Sequence, residues 1–405
     1  MTAEEAAFLE LVCASPEDDV PRLVFADWLD ERDDPRGEFI RIQCALARLS
    51  PADPNRPTLL DREAMLIARF HAPWSEPLKG IAGWTEFRRG FVETVNIETR
   101  KFLSRGKDLF NLAPVRHVRF LDVGSNLPRL TASPLLNRLS AITMYAQHLG
   151  DELAHSLVDS PHLGDLRQLN IGRNRIRDRG VQRLARSPRF EQIVGMDLSD
   201  NTIRDPGIRA VAESSNLTNL VSLELRRNEI TPVGLGMLCS SATLSSLREL
   251  GAGLNYISTP YEGNIPAAGA VELRSLDLSE NGLTVESLRE MIRLPGFMHL
   301  EQLDLGHNEV GNAGATLLAD WSGAASLRIL RLTHNRIGDD GARALARSNY
   351  LFNLTDLDVS DNPMHDPGAF EFLNSLGLPR MKNLAMPHLG LTPRMKRALA
   401  GRYNS

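Results

Sequence analysis

Cysteine is scarce: Cys13, Cys44 and Cys239 are the three in 405 residues, an odd number with no CxxC pair. That argues against a disulfide framework or a cysteine-based metal site, and a reducing compartment is the simplest setting. No stretch approaches about 18 consecutive apolar residues, and the opening MTAEEAAFLE has no basic region ahead of an apolar run. Membrane spanning and secretion therefore lack support, and the expected location is the cytoplasm. The net charge of -5 is weak for this length, so the totals point neither to nucleic acid nor to a membrane surface. Catalytic signatures are missing too: no nucleophile stands at motif spacing from a base, and there is no phosphate loop and no HExxH. The expectation is a protein that is not an enzyme and carries no cofactor or metal.

What is present is a repeat. The segment LRILRLTHNRI, from Leu327 to Ile337, follows LxxLxLxxNxL, and the pattern recurs at Leu166, Ile193, Leu220, Leu247, Leu273, Leu300 and Leu354. Its asparagine falls at Asn174, Asn201, Asn228, Asn255, Asn281, Asn308, Asn335 and Asn362, 27 residues apart except for one step of 26. In LxL the two leucines point to one side of a strand, and the asparagine can bond backbone left open where the chain turns away. Four positions on come Asp178, Asp205, Asn312, Asp339 and Asp366, read as helix caps; six positions on come Gly180, Gly207, Gly234, Gly314, Gly341 and Gly368. Small and apolar residues at helical spacing follow, as in Val181, Leu184 and Ala185, so each unit should end in an amphipathic helix. One such unit cannot bury both apolar faces, but a stack of them can. The predicted fold is an α/β solenoid.

These residues resemble the ribonuclease-inhibitor-like subfamily of leucine-rich repeats, which has a long period and a helix in every unit. The resemblance implies a horseshoe with parallel strands on the concave side and helices on the convex side, and macromolecular binding on the concave surface. It implies no chemistry.

Residues 1–50 read as a small helical module with 12 acidic and five basic residues. Thr2 and Glu5 can form a capping box, with Ala6, Leu9 and Cys13 on one face of a helix that stops before Pro16. Pro21 starts a second helix carrying Val24, Phe25, Trp28 and Leu29, and a third carries Phe39, Ile42, Leu46 and Leu49. The string PRLVFADWLDERDDPRGEFIRIQ, Pro21 to Gln43, resembles the repeat-companion domain found at the N-terminus of many bacterial repeat proteins, from which no activity carries over. Asp27 and Asp30 could pair on one helix face as metal ligands. Against that, residues 1–50 hold no histidine, and Arg32, Arg36 and Arg41 stand ready as ion-pair partners, so the carboxylates read as solvated or paired.

Residues 51–90 read as a Pro-rich linker and a helix, Leu59 to Phe70, closed by Pro73 and Pro77. The array is expected over 91–405. Divergent turns occupy 91–160, with Val92, Val95 and Ile97, then Val115, Val118 and Phe120, then Leu139, Ile142 and Met144. Val123 and Gln147 replace the asparagine there. Regular turns run over 161–380. A C-terminal cap at 381–405 follows, with Leu389 in the asparagine position and a helix from Pro393 to Ala400. The repeat after Asn255 lacks the glycine and contains Pro260 and Pro266, an irregular loop on which Tyr256 and Tyr261 could anchor a partner.

In-register strands would align the middle residues of LxL into a ladder that includes Asp197, Glu224, Asp277, Asp304, Arg331 and Asp358. Like charges set opposite one another destabilise a sheet, so the row either waits for a basic partner or is ordinary solvated repeat surface. His307, His334 and Asp361 fall on a neighbouring row at strand ends, without a second set of residues to orient metal ligands. Arg173, Arg175, Arg177, Arg179, Arg183, Arg186 and Arg189 crowd one repeat, but lack the aromatic interleaving of a nucleic-acid site. The leading reading is a monomeric protein-interaction scaffold that takes a protein partner on its concave face, with no nucleic-acid or membrane partner. The alternatives are a regulator of an enzyme, such as a GTPase activator or ligase-type adaptor, or a function carried by the N-terminal module.

Overall fold

The computed structural model describes residues 2–50, 53–258, 269 and 271–403. They form two compact units, one of Met1–Gln147 with Asp159–Leu169 and one of His148–Val158 with Asn170–Ser405. Among the described residues no helix is long and apolar enough to cross a membrane.

The first unit opens with four helices, α1 (Ala3–Ala14), α2 (Val20–Asp30), α3 (Pro35–Arg48) and α4 (Arg56–Ser75). The Thr2 hydroxyl accepts the Glu5 N–H at 3.1 Å while the Glu5 carboxylate accepts the Thr2 N–H at 2.5 Å, the reciprocal cap that starts α1. Leu9, Val12, Phe25, Leu29 and Ile40 then close a core on which Phe91 also packs. Helix α4 runs through Pro73 rather than stopping there. One backbone bond is forgone in the last turn, which the Ser75 hydroxyl steadies by donating to the His71 carbonyl at 2.6 Å.

Strand β1 (Thr85–Arg88) pairs antiparallel with β2 (Phe91–Glu98), an element absent from the sequence reading, which began the array at residue 91. Gly90 turns between them at φ +86°, where an added Cβ would lie 2.8 Å from the Ile40 Cα, so only glycine lets the hairpin approach α3 this closely. After α5 (Thr99–Leu112), β3 (His117–Leu121) lies parallel to β2, and β4 (Ala141–Thr143) parallel to β3. Val95 stands beside Val118, Ile97 beside Phe120, and Val118 beside Ile142, the alignment expected of divergent turns.

A buried polar network ties the helices to the hairpin. Arg22 is 0% exposed and donates to Glu93 at 2.6 Å, to the Pro16 carbonyl at 2.8 Å and to the Arg89 carbonyl at 3.2 Å. The Arg89 guanidinium donates to the Pro16 carbonyl at 2.8 Å and the Glu17 carbonyl at 3.1 Å, and Gln43 accepts the Gly90 N–H at 2.6 Å. The first fifty residues thus fold with the segment after them, inside the unit that runs to Gln147.

The second unit repeats one geometry. Its strands β6 (Gly195–Asp197), β7 (Ser222–Glu224), β8 (Glu249–Gly251), β9 (Ser275–Asp277), β10 (Gln302–Asp304), β11 (Ile329–Arg331), β12 (Asp356–Asp358) and β13 (Asn383–Ala385) are parallel and in register, leucine beside leucine along nearly the whole row. Helices follow at Asp178–Ala185, Asp205–Ala212, Pro232–Cys239, Val285–Met291, Gly311–Asp320, Asp339–Ala346, Asp366–Leu373 and Pro393–Arg402. Each buries the face expected from its spacing, for instance Val181, Leu184 and Ala185. Cys239 is wholly buried among them and its thiol is pushed up to about 12 by burial, so it is a core residue.

Three side-chain ladders hold the turns together. Each conserved-position asparagine is buried and bonds the turn before it: Asn201 accepts the Asn174 N–H at 3.0 Å and the Ile176 N–H at 2.9 Å, and donates to the carbonyls of Leu198 at 2.9 Å and Ile171 at 3.3 Å. The second ladder corrects an expectation. Asp178, Asp205, Asn312, Asp339 and Asp366 do not cap their own helices; each accepts the N–H that opens the next one, at Arg204, Thr231, Gly338, His365 and Thr392 over 2.7–3.0 Å. That explains the glycine two positions later, since a Cβ at Gly341 would stand 2.7 Å from the Asn312 oxygen and one at Gly368 would stand 2.6 Å from the Asp339 oxygen. The third ladder was not read from the sequence: Ser214, Ser241, Ser348 and Ser375 donate to the carbonyls of Ala185, Ala212, Ala319 and Ala346 at 2.5–2.6 Å. The asparagine ladder ends at Asn362, because Leu389, 86% exposed, fills the next slot.

Candidate functional site

The strands of the second unit place the anticipated row together. Asp197 stands beside Glu224, Glu224 beside Gly251, Gly251 beside Asp277, Asp277 beside Asp304, Asp304 beside Arg331, and Arg331 beside Asp358. The acidic residues also have a local task. Asp197, Asp277, Asp304 and Asp358 each accept the backbone N–H two residues on, from Ser199, Ser279, Gly306 and Ser360, at 2.8–2.9 Å, and Glu224 accepts that of Arg226 at 2.8 Å. This closes the strand end, so short acceptor side chains suit these positions. One carboxylate oxygen is thereby fixed in each residue.

Two arginines answer the negative charge. Arg331 Nη1 lies 3.6 Å from Asp304, as the alternation suggested. The other, Arg226, was missed by the sequence reading because its partners are two turns away. It donates to Ser279 Oγ at 3.1 Å and to Glu280, and approaches Asp277 at 3.8 Å. The opening it crosses is made by two glycines: a Cβ at Gly253 would meet Arg226 Nη1 at 2.6 Å, and the Glu224 carboxylate occupies the space a side chain at Gly251 would need. A signal for this existed in the sequence, Gly251 where the adjoining turns carry Glu224 and Asp277. Burial raises the Glu224 carboxyl above the ordinary carboxylate range, against the opposing pull of the Arg226 N–H, and burial likewise raises Asp304 against the pull of the Gly306 N–H.

The neighbouring row has a backbone role. Asp200, Arg227, Leu254, Glu280, His307, His334 and Asp361 all have φ between 52° and 57°, the left-handed turn by which each strand hands over to its asparagine. His307 and His334 stack with ring centroids 5.1 Å apart. Among the described residues no three His, Cys, Asp or Glu side chains are grouped to hold a metal ion. Arg179, Arg183, Arg186 and Arg189 line an open groove with Val158, Gln182, Ser187 and Pro188, without an aromatic platform on which a base could stack. Tyr256 is 62% exposed, whereas Tyr261 lies outside the described residues, as do Pro260 and Pro266.

In the first unit the suspected carboxylates are paired. Arg41 bonds both Asp27 and Asp30, the latter at 2.7 Å, Arg62 grips Glu38 with two bonds of 2.7 Å, and Asp34 caps α3 through the Arg36 N–H at 2.8 Å. Arg32 lies over the Trp28 ring, 3.8 Å from its centroid.

Comparison with known proteins agrees with the repeat geometry. The Leucine Rich repeat family matches residues 165–185, 196–212, 216–239, 298–319, 324–346 and 350–373. The chain carries leucine-rich repeats. No curated protein sequence matches it. Among solved structures it is similar to the chain in the crystal structure of a TLR13–ssRNA13 complex, at TM-score 0.45 and 18% identity over 73% of this chain, which spans 39% of that one. It is also similar to an internalin from Listeria monocytogenes str. 4b F2365, at TM-score 0.37 and 19% identity over 68% of each chain.

Proposed function

We propose that the protein is a non-enzymatic interaction scaffold of the ribonuclease-inhibitor-like type, whose strand face, the concave side of a horseshoe, receives a basic protein. The supporting observation is the fixed acidic row. Asp197, Asp277, Asp304 and Asp358 are held by backbone hydrogen bonds on parallel in-register strands, so a cationic partner meets charges already in position and little ordering is required on binding. Arg226 and Arg331 offset part of that charge and would set the register in which a partner docks. The free cysteines suit a cytoplasmic setting.

The test replaces Asp277, Asp304 and Asp358 together by Asn, which keeps the acceptor that closes each strand end and removes only the charge. Proteins captured from lysate by the wild type should be basic, should elute as salt rises, and should be lost with the triple variant. Equal capture by both proteins would return the row to ordinary repeat surface.

A further inference from the structure

The first unit holds a partly open pocket of about 270 Å³ bounded by α1, α2, the start of α3, the end of α4, β2 and the end of α5. Phe25, Trp74, Phe91 and Leu112 supply its apolar walls. Protein cores pack to the density of organic crystals, and a void of about 150 Å³ is already enough to take up benzene. A space of this size within an otherwise close-packed aromatic cluster has room for one ring and a short chain.

One charged side chain in the wall is out of keeping with the rest of the unit. Every other arginine from the start of α2 to the end of α3 is engaged: Arg22 with Glu93, Arg32 with Glu4, Arg41 with Asp27 and Asp30, and Arg48 with Asp19. Arg36 is not. Its Nε is buried with no hydrogen-bond partner, and the carboxylates of Asp34 and Glu5 act on its charge only through space. Its cation lies 5.0 Å from the centre of the Phe91 ring. Asp34, the nearest candidate in sequence, spends its carboxylate on the Arg36 backbone N–H at 2.8 Å. Glu5, also in the wall, holds the Thr2 N–H at 2.5 Å. Burial lowers the guanidinium to about 10, which leaves it charged at neutral pH. A guanidinium in the wall offers a planar fork of donors, the shape that matches a carboxylate.

We infer that this cavity is a binding site for a small arylcarboxylate, a single aromatic ring bearing a one- or two-carbon acid, with its carboxylate on Arg36 and its ring between Trp74, Phe25 and Phe91. A phosphate monoester fits less well, because its second negative charge would face Glu5. The site lies wholly in the first unit and is independent of the strand face of the repeats.

The experiment titrates phenylacetate, 3-phenylpropionate, phenylacetamide and inorganic phosphate into the full chain, read by calorimetry and by the change in tryptophan fluorescence that a Trp74→Phe control should remove. One of the two acids should bind saturably at one site per chain, at least about tenfold more tightly than the amide, the difference expected of a charge-assisted pair. Arg36→Gln should abolish that preference, and Ala113→Leu, which fills the cavity from the end of α5, should block the acid while circular dichroism remains unchanged. Failure of both acids to bind at millimolar concentration, equal binding of acid and amide, or undiminished binding by Arg36→Gln would each overturn the assignment.

Discussion

The second unit pairs its buried polar groups with short neutral or singly charged side chains repeated every turn, whereas the first unit pairs its own with long charged side chains used once. Asn201 makes its bonds within 30 residues of chain, and the same bonds recur at Asn228, Asn281 and Asn308. Arg22 reaches 71 residues to Glu93 and 67 to the Arg89 carbonyl, and nothing in the unit repeats that arrangement. A periodic chain can distribute its polar satisfaction evenly, so one defect costs one turn. A unit built on one buried network of Arg22, Arg89 and Glu93 concentrates the same task in one place.

That contrast should be visible in stability. Trp28, Trp74 and Trp84 belong to the first unit and Trp321 to the second, so a Trp321→Phe background reports the first unit and a background with the other three changed to Phe reports the second, each followed in urea. The largest effect is expected from Arg22→Met, which leaves the buried Glu93 only the longer 3.7 Å contact with Arg89 and should destabilise the first unit by about 3–5 kcal/mol while the second unit's transition stays in place. Adding Glu93→Leu should recover much of the loss. Next, Asn201→Ala leaves buried N–H and C=O groups open in two turns and should cost about 2–4 kcal/mol, seen by the probe in the second unit alone. Gly341→Ala should cost about 1–3 kcal/mol by crowding the Asn312 side chain, and its combination with Asn312→Ala should fall short of the sum of the two.

The smallest effect is one of opposite signs. Burial, with Arg119 nearby, lowers His117 of the first unit from 6.5 to about 4, so the unfolded chain takes up a proton that the native one refuses. Stability from this group is present above pH 6.5 and is lost as the pH falls from there toward about 4, a loss that His117→Gln should remove. Asp304 of the second unit has a carboxyl raised above 3.8, so its native form takes the proton first. It detracts from stability at neutral pH and less so on acidification; Asp304→Asn should be the more stable protein at pH 7, with the difference closing as the pH approaches 3.8. Urea titrations of the variants at several pH values read both.

The same contrast decides what could be read before the structure. The in-register leucines, the asparagine bonds and the row from Asp197 to Asp358 follow from a period that any stack of strands must respect. The helix-entry aspartates were seen at the right positions but given the wrong partner, because an acceptor ahead of a helix serves its own turn or the next equally well until the turns are stacked. Ser214 and its counterparts look like any polar residue after a helix. The β1 hairpin, the Arg22 network and the reach of Arg226 rest on partners brought together from distant sequence, and no spacing announces them.

The direction of the asparagine bonds bears on the order in which the chain is made. Asn201, Asn281, Asn308 and Asn362 each take two N–H groups from the turn before and give one of their own N–H bonds to a carbonyl of that earlier turn, so these partners have left the ribosome first. A turn emerging during translation can be zipped onto finished chain without waiting for anything downstream, while its own open groups remain the template for the turn that follows. Growth by one period at a time, in synthesis and in the duplication of whole 27-residue segments alike, leaves every such bond intact.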